Sequence, residues 1–332
     1  MKHADALKRE TKNGRVKQIL QGNVKLQQGK TVIECDLATQ FINEDPIALI
    51  GHVSIVDENK ALYADTVYFY QETSVQIAVG HVESITESDT TFADRITYYE
   101  KENKIVSQGH VRIVNVKERT ILSGGLTEYL RGQKYGKILQ EPVWTKMDSL
   151  GRVTMTIAGD SMEVFDGGNR MVALGKVKIK QQETRATCER AEYFKQKEET
   201  ILTHNPIVIR DNQHISGDTL KLYLKNSQLM RAEVIGNALA TSDADTLSPG
   251  RWVNRLAGDR MDFIFSEKKL QTVLIENQAV SKYHNIENQE YKGVNEVSGD
   301  KIEINFYKGE VSRIRVSSNP EFANGKYSPP KK

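Results

Sequence analysis

The stretch Ala64-Asp65-Thr66-Val67-Tyr68-Phe69 decides the fold, because it returns. Twenty-nine residues on stands Ala93-Asp94-Arg95-Ile96-Thr97-Tyr98, and twenty-nine residues earlier stands Cys35-Asp36-Leu37-Ala38. Later copies are Gly159-Asp160-Ser161-Met162, Gly217-Asp218-Thr219-Leu220, Gly258-Asp259-Arg260-Met261 and Gly299-Asp300-Lys301-Ile302. Cys188-Glu189-Arg190-Ala191 and Gly124-Gly125-Leu126 are degenerate copies. The anchors fall at 36, 65, 94, 125, 160, 189, 218, 259 and 300, so the spacing is 29 residues four times, stretches to 31 and 35 in the middle and lengthens twice to 41 near the end. A fixed period in this range marks a repeat architecture. Each copy has a second half, clearest in Gly51-His52-Val53, Gly80-His81-Val82, Gly109-His110-Val111 and Gly175-Lys176-Val177. Glu141-Pro142-Val143, Asn205-Pro206-Ile207 and Gly236-Asn237-Ala238 are looser versions, and Gly22-Asn23-Val24 reads as an unpaired half-copy at the start.

Each half alternates with period two, as a half-buried strand does. Two residues after the anchor stand Ala38, Val67, Ile96, Met162, Ala191, Leu220, Met261 and Ile302, and two further on Phe69, Tyr98, Val164, Tyr193, Leu222 and Phe263. Polar turns such as Gln71-Glu72-Thr73-Ser74 and Lys225-Asn226-Ser227-Gln228 separate the halves. In this pattern each Asp opens a strand, and its carboxylate serves local turn chemistry. No segment carries helical periodicity. The expectation is an all-β, elongated, solenoid-like array of two-strand repeats, roughly 18 strands and ~85 Å long at the usual strand spacing.

Composition removes other classes. The 332 residues carry 46 basic and 44 acidic side chains for a net charge of +2, without the basic surplus of a nucleic-acid binder. No run of apolar residues is long enough for a transmembrane helix. Residues 1–18 are polar and lack the apolar centre of a signal peptide, so an exported form would carry its leader already removed. Cys35 and Cys188 have no Cys or His at ligand spacing and read as small buried residues.

A meander with one apolar face must fold that face onto itself. It can close on a dry core, as a β-helix does, or leave an open V with an apolar trough; the pattern leaves both open. The tandem (Ala/Gly)-Asp-x-apolar-x-(Tyr/Phe) strand followed by Gly-x-Val-x-(Ile/Val) resembles the OstA-type domain of the LptA/OstA-like lipopolysaccharide transport family, shared by LptA, LptC and the N-terminal part of LptD. The likeness covers about residues 15–320. The chain has more repeats than a minimal bridge of that family and lacks the long C-terminal barrel of a full LptD protein. The resemblance implies a twisted open β-jelly roll, a periplasmic location and a role as a lipopolysaccharide carrier or bridge. It implies a lipid A groove lined by Val53, Val67, Phe69, Val82, Ile96, Tyr98, Val111, Met162, Val164, Val177, Leu220, Leu222, Met261 and Phe263. It also implies partnership with other OstA-type Lpt proteins, and end-to-end self-association, through strand edges near residues 16–26 and 300–317. No cofactor and no metal is expected.

Other constellations point to structure. His52, His81 and His110 recur at 29 residues, too far apart on neighbouring strands for one zinc ion, and read as solvated surface. The Asp column offers one carboxylate per repeat, short of a calcium loop and without a singled-out catalytic pair. No phosphate loop, Gly-x-Ser-x-Gly or His-Glu-x-x-His is present, so the chain does not read as an enzyme. The alternatives are a closed β-solenoid scaffold with no ligand and, less favoured, a carbohydrate-active β-helix. Expected boundaries are a flexible segment at 1–14, the array at 15–320 with a hinge at 131–157, and a disordered tail at 321–332. Insertions at 131–157, 241–256 and 281–297 are expected as surface loops.

Overall fold

Residues 2–225, 228–245, 248, 250–267, 269–287, 290–308, 310–319 and 323–330 are described by a computed structural model of the chain. Asn226, Ser227 and Pro249, singled out from the sequence, lie outside these residues. The described chain is antiparallel strand almost throughout, with two short 3-10 turns at Arg131–Gln133 and Asp166–Gly168. It forms two compact units, residues 1–167 and 168–332.

In unit 1 a meander runs through Arg15–Gln28, Thr31–Phe41, Ile47–Asp57, Lys60–Tyr70, Val75–Ile85, Thr90–Tyr99, Lys104–Asn115 and Thr120–Leu130, each strand antiparallel to the next. The two halves read from the sequence are therefore two strands per repeat, as expected. The anchor Asp does not open a strand, however. It sits in the middle of one, opposite the middle of the next, and there the register slips. Thr66 pairs with Val79 and Tyr63 with Glu83, with Asp65 and the Gly80-His81 pair between them.

Steric chemistry explains the slip. Gly80 and His81 both have left-handed backbone, φ +78° and +45°, and the same holds at Gly51-His52, Gly109-His110, Gly22-Asn23 and Gly236-Asn237. Two consecutive left-handed residues make a bulge that bends the strand. The first must be glycine for a second reason: a Cβ on Gly22, Gly51, Gly80, Gly109 or Gly236 would collide with the carboxylate of Asp5, Asp36, Asp65, Asp94 or Asp218. Asp5 follows Ala4, so the half-copy at Gly22 is not unpaired; Ala4-Asp5 is its anchor. At one corner the roles are exchanged. Gly125 stands where the Asp belongs, and a Cβ there would meet the Gln140 side chain, which occupies the glycine's place.

The bends bring both halves of each strand into one core. In unit 1 Val24, Cys35, Val53, Ala64, Val82 and Val111 from one side of the corner share a buried cluster with Ala38, Leu49, Val67 and Ile96 from the other. In unit 2 one cross-strand row, Ala191, Leu202, Leu220, Val234, Met261, Ile275 and Ile302, is buried along its length. The opposite face of those strands carries ion pairs. Glu233 accepts from Arg260 at 2.6 Å and from the Tyr223 hydroxyl at 2.9 Å, and Asp262 accepts from Arg231 at 2.6 Å. Burial and the Glu233 acceptor push the Tyr223 phenol up to about 12.

Several boundaries differ from expectation. Segment 1–14 is not a loose end: Ala6–Lys12 pairs with Arg15–Gln28 through a hairpin at Asn13-Gly14, φ +50° and +75°, the turn such a dipeptide favours. The edge strand of unit 1 is therefore Ala6–Lys12, which covers 15–21 while Thr31–Phe41 pairs on the other side. Of the expected edge at 16–26, only 22–26 lies beyond that strand, met there by an isolated bridge from His3 to Lys25. The tail is not disordered over its described residues, since Asn324–Ser328 pairs with Val294–Ser298. The outer edge of unit 2 is Glu310–Ser317 with Asn324–Ser328, while 301–305 is paired on both sides. The 131–157 insertion holds the short strands Tyr135–Leu139, Val143–Met147 and Val153–Ala158, and the division of the chain falls at 167/168 instead of within it. The 281–297 insertion lengthens strands, Lys269–Glu287 and Glu290–Tyr307 running 19 and 18 residues, whereas in the 241–256 insertion the described residues between Asp243 and Val253 form a loop, as expected. The strand count rises to 25 partly because some corners cut a strand in two. Glu199–Thr203 and Ile207–Arg210 flank His204-Asn205-Pro206, and proline has no N–H with which to resume the ladder.

Glycine at the corner is then testable by substitution. Gly80→Ala should lower the unfolding free energy by about 2 kcal/mol, combining left-handed strain with collision on Asp65. Gly14→Ala, with comparable φ but open space around it, should cost only about 1 kcal/mol. Urea unfolding of both variants checks the order.

Candidate functional site

The inward columns show a gradient. Beside the corner, Val67, Met162, Leu220 and Met261 are completely buried, as are Val53, Val82, Val111 and Val177 on the other half-strands, with Ile96 nearly so. Two residues further out, burial falls. Phe69, Tyr98, Val164 and Leu222 are only half-buried, although Phe263 is buried. Ile47, Ile55, Ile105 and Ile113 are likewise partly buried against the unit 1 core. Period two places each of the fourteen candidate positions on the inward face of its strand. Within unit 1, Val53, Val67, Val82, Ile96 and Val111 are brought into one cluster with Phe69 packed on it.

Outside the corner runs a ladder that the sequence reading did not pair. The His52 ring nitrogen Nδ1 lies 2.8 Å from Asp36 Oδ2, and His81–Asp65 and His110–Asp94 repeat the same distance. Asn takes the place of His at two other corners: Asn23 Nδ2 donates to Asp5 at 3.0 Å and Asn237 Nδ2 to Asp218 at 3.1 Å. The carboxylate thus does two things, filling the space over the glycine and accepting from the next residue. The constant sixteen-residue step from Asp to His was the available signal. The rings are fully exposed, so the pairs define a surface ridge, and no cluster of metal-ligating side chains occurs among the described residues.

Hydrogen bonding to Asp36, with its charge, raises the His52 imidazole above its ordinary value, and Asp65 does the same for His81. Both cysteines are free and buried, and burial pushes the Cys188 thiol up to about 11, which keeps it protonated and unreactive. An open cleft of about 570 Å³ sits at the exchanged corner, lined by Gly109, His110, Gly124, Gly125, Gln140 and Glu141 among others.

Repeat, corner and inward apolar columns define a class of tandem two-strand β-repeat proteins with apolar side chains on their inward faces. Comparison with known proteins places the chain more closely. Residues 150–228 match the family model for the LptA/(LptD N-terminal domain) LPS transport protein, and residues 1–57 match that for the OstA-like protein. The chain is thus LptA/OstA-like over these two segments, which together make less than half of it. A solved structure, LptH, the LptA-homologous periplasmic component of the lipopolysaccharide transport device of Pseudomonas aeruginosa, aligns at 17% identity over 45% of this chain and 96% of its own, with a TM-score of 0.33. No curated protein matches the chain.

The ladder has a titration signature. Because the folded values of His52 and His81 are raised, their contribution to stability is present below the unfolded histidine value, ~6.5. It is lost as pH rises through the raised folded values. In an NMR titration, Asp65→Asn should return His81 to the ordinary range and leave His52 raised.

Proposed function

We propose that this protein is a periplasmic lipopolysaccharide carrier or bridge that shields lipid A acyl chains along its inward apolar face. The observation that carries this reading is the burial gradient. Residues at the corner are sealed, while Phe69, Tyr98, Val164 and Leu222, farther from it, keep part of their apolar surface open. A lipid chain laid against such a lip is removed from water at ~0.8 kcal/mol per CH₂. The two family-model matches support the same reading. Transport along the face is passive, and direction comes from partner proteins. Other OstA-type Lpt proteins, or further copies of this chain, dock at the outer strands Ala6–Lys12 and Glu310–Ser317 by β-augmentation. Among the described residues no helix is long and apolar enough to cross a membrane.

A closed scaffold with no ligand is the competing function, favoured by the complete burial of Val67, Met261 and Ile302. Native mass spectrometry with added lipopolysaccharide separates the two. The carrier takes up lipopolysaccharide stoichiometrically, and Leu222→Asp, still folded by circular dichroism, loses at least tenfold in affinity. A wild-type chain that stays empty where a known carrier loads would leave the scaffold.

A further inference from the structure

The lengthened strands of unit 2 carry something unit 1 has no room for. Beside the corner their inward face is made of small residues: Ala238 pairs with Gly258 and Ala279 with Gly299. One step further out, Ala240 pairs with Leu256, and Ser281 with Val297. A second step out, Ser242 pairs with Asn254, Tyr283 with Asn295, and Asn295 with Tyr327. No register shift intervenes between Ala279 and Asn285, so period two keeps Tyr283 and Asn295 on the face that holds the buried Ala279 and Ser281. In unit 1 the equivalent place, two residues past Ile55, is Asp57, already at the hairpin end opposite Lys60.

This row is polar, uncharged and accessible. Tyr283 and Tyr327 keep 38% and 56% of their surface open, and Asn295 is exposed. The charged groups of the same strands, Lys282, Glu296 and Lys326, alternate onto the other face, where Lys282 Nζ meets Glu296 at 2.9 Å. The row is also held in place. Asn254 Oδ1 accepts the His284 N–H at 2.9 Å, and the Tyr327 hydroxyl donates to the Lys292 carbonyl. An amide donor and a phenol acceptor remain to spare. The Tyr327 ring lies so close over Gly293 that a Cβ there would come within 2.9 Å of it. Trp252 stacks on Tyr291 at 4.7 Å between centroids, with Arg251 4.2 Å from the Trp252 ring, tying the two lengthened hairpins together.

Amides and phenols without ionised groups match hydroxyls, not phosphates or charged peptides. We propose that Ser242, Asn254, Tyr283, Asn295 and Tyr327 form a sugar-binding lip, which takes the glycan of a glycolipid whose acyl chains lie on the adjoining apolar face. This rests on the lipid-carrier function proposed above. The test uses three probes: lipopolysaccharide bearing its core oligosaccharide, the lipid A derived from it, and the core oligosaccharide freed of lipid. The full chain should bind the core-bearing form about tenfold more tightly than lipid A, the equivalent of one or two net hydrogen bonds. Tyr283→Ala with Asn295→Ala should erase that preference and leave lipid A affinity unchanged; where this variant fails to fold, Tyr283→Phe with Asn295→Ser is read the same way. Saturation-transfer NMR should show the free oligosaccharide contacting the wild type and not the variant. Lipid A binding with no glycan preference in the wild type, or with a preference the variants retain, overturns the lip and leaves the carrier. Binding of neither lipid form overturns both.

Discussion

A carboxylate resting on the α-carbon of a glycine is the contact on which the rest of the structure depends. It works only where the glycine has no side chain and the backbone turns left-handed, two demands that glycine alone meets cheaply. Asp65 over Gly80 is one instance, and the corners at Gly22, Gly51, Gly109 and Gly236 share the arrangement. Each makes its strand bend at the same height as its neighbours. Without that common bend, a strand such as Lys60–Tyr70 would present Val67 and Phe69 to water along a flat sheet. With it, the apolar faces on the two sides of the corner meet, and the core follows.

The repeat was legible because sterics leave it little freedom. A residue that must be glycine and a partner that must be a short acid survive in the text as Asp and Gly fifteen residues apart. What stayed illegible was the position of that pair within a strand. Period-two alternation runs unbroken to either side of the slip, and nothing in it says that Asp65 and Gly80 face each other at mid-strand. Asp5 escaped notice because seventeen residues, not fifteen, separate it from Gly22. Asn13-Gly14 carried a hairpin signal, but the charged strand before it, Ala6–Lys12, has almost no alternation to announce it. The exchanged corner at Gly125 and Gln140 could be seen only as degeneration, since Gln restores the contact from the opposite strand.

The apolar columns of the candidate site were readable from period two, and each residue lies on the inward face of its own strand. How deeply each would be buried was not, because burial depends on distance from a corner whose place was unknown. The polar row in unit 2 was out of reach for a related reason. Tyr283 and Asn295 fell in an apparent insertion, and only the pairing of five segments shows that the extra residues are two steps of strand on each side. The functional class came from the resemblance, which the family models match at residues 1–57 and 150–228.

Corners differ in one further respect. Where valine follows the left-handed pair, as at Gly80-His81-Val82, the backbone N–H resumes the ladder at once and the strand is eleven residues long. Where proline follows, at Glu141-Pro142 and Asn205-Pro206, no donor is available and the strand survives as pieces of four or five residues. Short ladders open at lower free energy than long ones. The repeat is therefore not equally firm along its length: among the described residues each unit has a seam at a proline corner, where amide protons are expected to exchange with solvent before those of the unbroken corners.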